Sequence, residues 1–282
     1  MKNRWRHLGA AAALACAAVA LLTMVMHDSM IYFPSRASEP ESVRRAAALG
    51  LSPWRDSEGR IVGWQRPDPR ASARLVVFHG NAGSALDRAP YVGAFAALGW
   101  EVSIFEYPGY GARAGRPGKD AFIRTGRSAV AEMMRADPRP LTLLGESIGA
   151  GAASALLETE AGLAGAILVV PFARLIDVAW SHYGPLAFLL RDRWDNLAAL
   201  KAARVPVAFV VATEDEVIGA PQGRKLHESY AGPKLLMELP GSSHNGFPLG
   251  PEVEWVRAVD AFLRGHQVSR ASPGGSSDRS PL

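Results

Sequence analysis

Six short apolar runs recur along the chain, over residues 73–78, 101–105, 141–144, 166–170, 207–212 and 235–239, and helical stretches separate most of them. Residues 120–136 set Phe122, Ile123, Val130, Met133 and Met134 at helical spacing, and residues 251–263 do the same with Val253, Val256, Val259, Phe262 and Leu263. Runs without alternation belong to strands buried on both faces, so the pattern predicts an α/β fold with a mainly parallel sheet covered by helices on both sides. Upstream, Met30-Ile31-Tyr32-Phe33 is a short apolar segment stopped by Pro34, and residues 41–49 read as a brief helix ended by Gly50. The turn Ser57-Glu58-Gly59-Arg60 then leads into Ile61-Val62-Gly63-Trp64, which reads as an antiparallel strand at a sheet edge.

Two stretches break the rhythm. Residues 172–200 are rich in bulky side chains, among them Leu175, Ile176, Trp180, Tyr183, Leu186, Phe188 and Trp194. They read either as a lid or as a pair of sheet-covering helices, because apolar helical surface looks alike in both roles. Residues 267–282 form a Ser/Gly/Pro/Arg tail with no apolar period and are predicted to be disordered. The expected organisation is an N-terminal segment over residues 1–29, one domain over 30–266 and the tail.

The N-terminal segment changes the picture of where the domain sits. Residues 8–26 are an uncharged apolar run behind Lys2, Arg4 and Arg6, long enough to cross a bilayer as a helix. The basic flank stays in the cytoplasm by the positive-inside tendency, so the domain is expected on the far, periplasmic or extracytoplasmic side. The alternative is a cleaved signal peptide with Ala18-Val19-Ala20 as its site, giving a secreted protein, but that cut leaves Leu21-Leu22-Thr23-Met24-Val25-Met26 exposed. Cys16 follows Ala13-Leu14-Ala15, a poor lipoprotein processing site, and as the sole cysteine it makes no internal disulfide. The formal charge of +4 is concentrated near the two ends. The body is close to neutral and lacks the basic face that a nucleic-acid partner requires.

Candidate chemistry centres on Leu141-Thr142-Leu143-Leu144-Gly145-Glu146-Ser147-Ile148-Gly149, a buried strand running through Gly-x-Ser-x-Gly into a helix expected over residues 148–159. A serine on so tight a turn is pushed out above the sheet, and small residues two before and two after it give the backbone room. A serine nucleophile needs a base, and the base needs an orienting carboxylate, both from later loops at the carboxyl ends of the strands. Thr213-Glu214-Asp215-Glu216-Val217-Ile218 follows the run 207–212 and offers Asp215, with Glu214 and Glu216 as near alternatives. Of the later histidines, His227 falls within a predicted helix and His266 at the start of the tail, whereas His244 lies in a small-residue loop, Pro240-Gly241-Ser242-Ser243-His244-Asn245-Gly246. His244 is therefore the candidate base. Two oxyanion donors are expected, the backbone N–H of Ile148 and that of Asn81 in His79-Gly80-Asn81-Ala82-Gly83-Ser84, the loop after run 73–78. Such chemistry uses no cofactor, and no metal-ligand spacing or phosphate loop is visible.

Taken together, His79-Gly80-Asn81-Ala82-Gly83, Tyr107-Pro108-Gly109-Tyr110-Gly111, Gly145-Glu146-Ser147-Ile148-Gly149, the acidic loop and Ser243-His244-Asn245 resemble the α/β-hydrolase superfamily. The resemblance is to its Bem46/ABHD13/ABHD17-type serine hydrolase branch, related to the serine aminopeptidases, over roughly residues 30–265. It implies an α/β-hydrolase fold, the triad Ser147, Asp215 and His244, and oxyanion donors at Asn81 and Ile148. It also implies an ester, thioester or lipid acyl substrate, with amide cleavage or a catalytically silent binding module as the alternatives. Where relatives read Tyr-Gly-x-Ser, this chain has Tyr110-Gly111-Ala112-Arg113. Arg113 is expected either to meet an anionic group or to face solvent.

Overall fold

The computed structural model describes residues 31–271 of the 282. The apolar run 8–26, with Cys16 and the cleavage question, and residues 272–282 lie outside the described residues. No described helix is long and apolar enough to cross a membrane.

Ten strands form. In chain order they are β1 (Phe33–Pro34), β2 (Ser52–Arg55), β3 (Ile61–Arg66), β4 (Ala73–Phe78), β5 (Ala82–Gly83), β6 (Trp100–Phe105), β7 (Leu141–Glu146), β8 (Gly165–Val169), β9 (Val207–Ala212) and β10 (Lys234–Leu239). The helices are α1 (Glu39–Ala48), α2 (Ala89–Ala96), α3 (Lys119–Ala136), α4 (Ile148–Thr159), α5 (Leu175–Tyr183), α6 (Asn196–Leu200), α7 (Ala220–Ser229) and α8 (Glu254–Ala271). Short 3₁₀ turns cover Ala85–Arg88 and Gly184–Leu189.

The eight-stranded main sheet runs β10-β9-β8-β7-β4-β6-β3-β2, and β1 pairs apart from it with β5. The six strands from β10 to β6 are parallel, while β3 runs antiparallel to both β6 and β2. Alternation splits each central strand between two apolar layers. Val76 and Phe78 of β4 and Leu143 of β7 pack with Phe122 of α3 and Leu156 of α4, whereas Leu75, Val77 and Leu144 pack with Phe95 of α2 and Val259 of α8. Both layers exclude water, which explains why these strands read as mainly apolar runs with few polar positions, Arg74 and Thr142 among them.

The chain leaves β4 toward β6, then crosses back so that β7, β8, β9 and β10 build in the other direction. The order therefore reverses between β4 and β7, the place where open α/β sheets leave a crevice at their carboxyl edge. Phe78 pairs with Gly145 across that junction, and Ala212 pairs with Leu239 farther along. The loops that follow β4, β7, β9 and β10 consequently rise from one rim.

Several elements differ from the sequence expectation. The strand expected at the edge, β3, is one position in, with β2 outside it. Ile61, Val62 and Trp64 are all buried, and a Cβ on Gly63 would come within 2.3 Å of the Ile104 carbonyl oxygen, so the site accepts no side chain. The tail does not begin at Gln267, because α8 continues to Ala271 and His266 sits on it, bonding the Phe262 carbonyl. Residues 172–200 divide their roles. Leu200 of α6 packs on the sheet and Trp194 seals over Gly151, while α5 and the following 3₁₀ turn carry exposed Trp180, Tyr183, Leu186 and Phe188.

Candidate active site

The turn after β7 is fixed by its own sterics. Ser147 has φ 54° and ψ −117°, a left-handed backbone that costs a non-glycine residue roughly 1–3 kcal/mol and persists only where the surroundings impose it. Packing imposes it here. A Cβ on Gly145 would lie 2.4 Å from the Gly149 carbonyl oxygen, and one on Gly149 would lie 2.1 Å from that of Phe78. Ser147 N–H donates to the Val169 carbonyl at 3.0 Å. Val170, beside that anchor, is the other non-glycine residue with positive φ among the described residues, at 42°.

The structure brings Ser147, His244 and Asp215 together. His244 Nε2 is 3.1 Å from Ser147 Oγ, and His244 Nδ1 is 2.8 Å from Asp215 Oδ2. The second carboxylate oxygen of Asp215 accepts the N–H groups of Val217 (2.9 Å) and Ile218 (2.8 Å), which turns the side chain inward to 3% exposure. Burial pushes the Asp215 pKa up, but its hydrogen bond to His244, the charge of that ring and the two amides outweigh burial, and the carboxyl titrates below the usual aspartate range. Glu214 and Glu216 stay exposed. Glu216 instead accepts the backbone N–H of His244 at 3.1 Å, which braces the histidine loop and lowers its own pKa. His227 lies away on α7, edge-on to Phe209.

Asn81 and Ile148 both line the cavity that holds Ser147. Ile148 opens α4, so its N–H has no intrahelical acceptor, and no acceptor among the described residues takes the N–H of either Asn81 or Ile148. The loop carbonyls explain how the Asn81 amide is aimed. His79 Nδ1 is 2.8 Å from the Gly80 oxygen, Tyr107 donates to the His79 oxygen at 3.0 Å, and the Asn81 oxygen accepts from Tyr110 (2.7 Å) and Phe33 N–H (2.9 Å). In a trans peptide the N–H points opposite its carbonyl. Tying the Gly80 oxygen to the His79 ring therefore turns the Asn81 N–H the other way.

Sequence reasoning missed three supports. His79 is wholly buried, with Nε2 3.5 Å from Glu106. Arg88 makes a forked pair with Glu146, the residue before Ser147, at 2.6 to 2.9 Å, and Tyr91 adds a bond at 3.0 Å. The tyrosines of Tyr107-Pro108-Gly109-Tyr110-Gly111 clamp the Asn81 loop, a role that the motif itself does not disclose. Arg113 is half-buried beside a polar cleft. Its guanidinium lies over Phe105, 4.8 Å from the ring centroid, donates to the Glu106 carbonyl, and is lowered by burial to about 10.

The Ser147 cavity holds about 310 Å³ and is walled by Ile31, Phe33, Phe172, Leu175, Val178, Tyr183, Leu190, Val217 and Ile218. A larger polar cleft of about 980 Å³, flanked by Arg55, Arg60 and Arg113, contains none of Ser147, Asp215 or His244, so volume alone does not locate the chemistry.

The closeness of these groups is matched by similarity to known proteins. The chain is 30% identical over 272 residues to uncharacterized protein MT2364 of Mycobacterium tuberculosis, covering 93% of this chain and 96% of that one. The family model described as "Serine aminopeptidase, S33" matches residues 69–192. The chain belongs to the α/β-hydrolase superfamily. Within that superfamily, human alpha/beta hydrolase domain-containing protein 17B is 26% identical over 225 residues, 78% of this chain and 77% of its own. Among solved structures, the Pyrococcus furiosus esterase Pf2001 superposes with a TM-score of 0.60 at 14% identity, over 83% of this hydrolase-fold chain and 97% of the esterase. That likeness is one of fold.

Proposed function

We propose that this protein is a membrane-anchored serine hydrolase that cleaves an ester or thioester through an acyl-enzyme on Ser147. The carrying observation is the unbroken path Asp215–His244–Ser147, at 2.8 and 3.1 Å, beside two amides with no acceptor among the described residues. Ser147 Oγ attacks the carbonyl carbon while His244 Nε2 takes its proton, and the resulting oxyanion is held by Asn81 and Ile148 N–H. The imidazolium, oriented by Asp215, returns that proton to the departing alkoxide or thiolate. Water then gives a proton to His244 and attacks the acyl carbon, and Ser147 leaves with the proton restored.

The largely apolar cavity wall favours an acyl chain over a charged group. Amide cleavage of the serine aminopeptidase kind is the second reading, supported by the Glu216 carboxylate on that wall, which suits an α-ammonium group. Residues 8–26 supply the proposed anchor, with the catalytic domain on the non-cytoplasmic side. A fluorophosphonate probe should label wild-type protein and not Ser147→Ala. Equal labelling of both would remove Ser147 from the reaction, and no labelling of either would favour a binding module. Comparing p-nitrophenyl esters of rising chain length with aminoacyl anilides separates the ester and amide readings.

A further inference from the structure

The proposed reaction leaves one large feature unused. Trp180, Tyr183, Leu186 and Phe188 are about half or more exposed, at 49, 55, 50 and 62%, on α5 and the 3₁₀ turn after it. The rings of Trp180 and Phe188 meet edge to face, 5.4 Å apart, so α5 and the 3₁₀ turn share one apolar patch. It is continuous with the active-site mouth, because Tyr183, exposed Phe33 (51%) and exposed Val217 (42%) all line the Ser147 cavity. His182 Nε2 on the Val217 carbonyl, at 2.7 Å, ties α5 to the Asp215 loop. Soluble monomers rarely leave such a ring of large apolar side chains in water without a partner.

Two observations name the partner. The uncharged run 8–26 ends at Met26, five residue steps before Ile31, which itself lines the cavity. At no more than about 3.6 Å per residue, that link spans at most about 18 Å. Whatever apolar phase receives residues 8–26 thus lies within that distance of the mouth. Exposed Arg191 and Arg193 directly follow the patch, placing cationic groups beside apolar ones, as an interface of acyl chains and anionic headgroups requires.

We infer that the exposed rim of α5 and its 3₁₀ turn docks on a lipid bilayer, with the mouth of the Ser147 cavity against the membrane, so that the substrate's acyl chain passes from lipid into the site. This rests on the serine hydrolase reading for the substrate, not for the docking.

The test uses the full chain with phosphatidylcholine vesicles, with and without phosphatidylglycerol. Brominated phosphatidylcholine should quench the emission of wild type more than that of Trp180→Phe, the difference being the signal of Trp180 in the bilayer; both proteins keep Trp5. The Leu186→Ser/Phe188→Ser variant, at positions outside the cavity wall, should hydrolyse water-soluble p-nitrophenyl acetate within twofold of wild type and lose at least tenfold on an acyl ester embedded in vesicles. No Trp180 quenching overturns the proposal, as does an equal loss on both substrates. Sedimentation showing a dimer that the double variant dissolves would make the rim a contact between copies, also overturning it. Should the double variant fail to fold, the quenching comparison decides, since Trp180→Phe keeps a ring against Phe188. Quenching without ester turnover by wild type would sink the hydrolase reading and leave the docking intact.

Discussion

Replacing Asp215 by Asn asks what its carboxylate does beyond filling space. One oxygen of Asp215 accepts two backbone N–H groups, from Val217 and Ile218, and the other faces His244 Nδ1. In Asp215→Asn the carbonyl oxygen must keep the two amides, because turning the NH₂ toward them would set donors against donors. The NH₂ then points at Nδ1 and forces that nitrogen to accept. The proton moves to Nε2, which now donates toward Ser147 Oγ and cannot remove its proton. The cost is the wrong tautomer rather than a lost contact, and its size is about 10⁴-fold in kcat, or about 5 kcal/mol of barrier. Steady-state hydrolysis of a p-nitrophenyl ester measures it, with circular dichroism to show an intact fold. A loss below about tenfold would refute the tautomer argument. The same substitution tests stability. Because the folded-state pKa of Asp215 is depressed, its contribution is present above the ordinary aspartate range, near about pH 4, and is lost as pH falls through the lower folded value. The melting temperature of wild type should therefore drop more steeply than that of Asp215→Asn as pH is lowered through that region.

Three further perturbations separate the supports of the site. Gly149→Ala forces a methyl to 2.1 Å from the Phe78 oxygen and 2.7 Å from the His79 oxygen, both backbone atoms, so thermal denaturation should show a loss of about 1–3 kcal/mol and turnover should fall on the order of 100-fold. Wild-type stability would show that the turn tolerates a side chain. His79→Phe keeps the ring packing on Tyr107 but frees the Gly80 carbonyl, so kcat should fall on the order of 100-fold with KM little changed; a rise in KM alone would place His79 in substrate binding. Arg88→Met leaves the Glu146 carboxylate buried without a cation, held by Tyr91 alone among the described residues, and denaturant unfolding should show a loss of about 3 kcal/mol or more at neutral pH. Unchanged stability would mean that the pair contributes nothing net.

What could be read along the chain was whatever rests on neighbours in sequence. The apolar runs that became β4 and β9 carry matching boundaries, since burial on both faces leaves β9 with no polar position and β4 with one, Arg74, next to its start. By contrast, Glu214, Asp215 and Glu216 are equivalent acids along the chain. Only the amides of Val217 and Ile218, folded back onto Asp215, select the one that turns inward. The Arg88–Glu146 clamp was invisible for a similar reason: its members are 58 residues apart and meet only because β4 and β7 are adjacent. The packing of Arg113 over the Phe105 ring was equally invisible, because the two are brought together only by the fold of the loop after β6.

The sequence by itself determined the parallel α/β architecture and the sharp turn at Ser147, because strand burial and glycine sterics act over a few adjacent residues. Tertiary structure alone decided which acid faces His244, which way the Asn81 amide points, which strand forms the edge and where an apolar rim stays uncovered. Each of these depends on the direction of a side chain or peptide plane, and that direction is set by partners brought close through the sheet rather than along the chain.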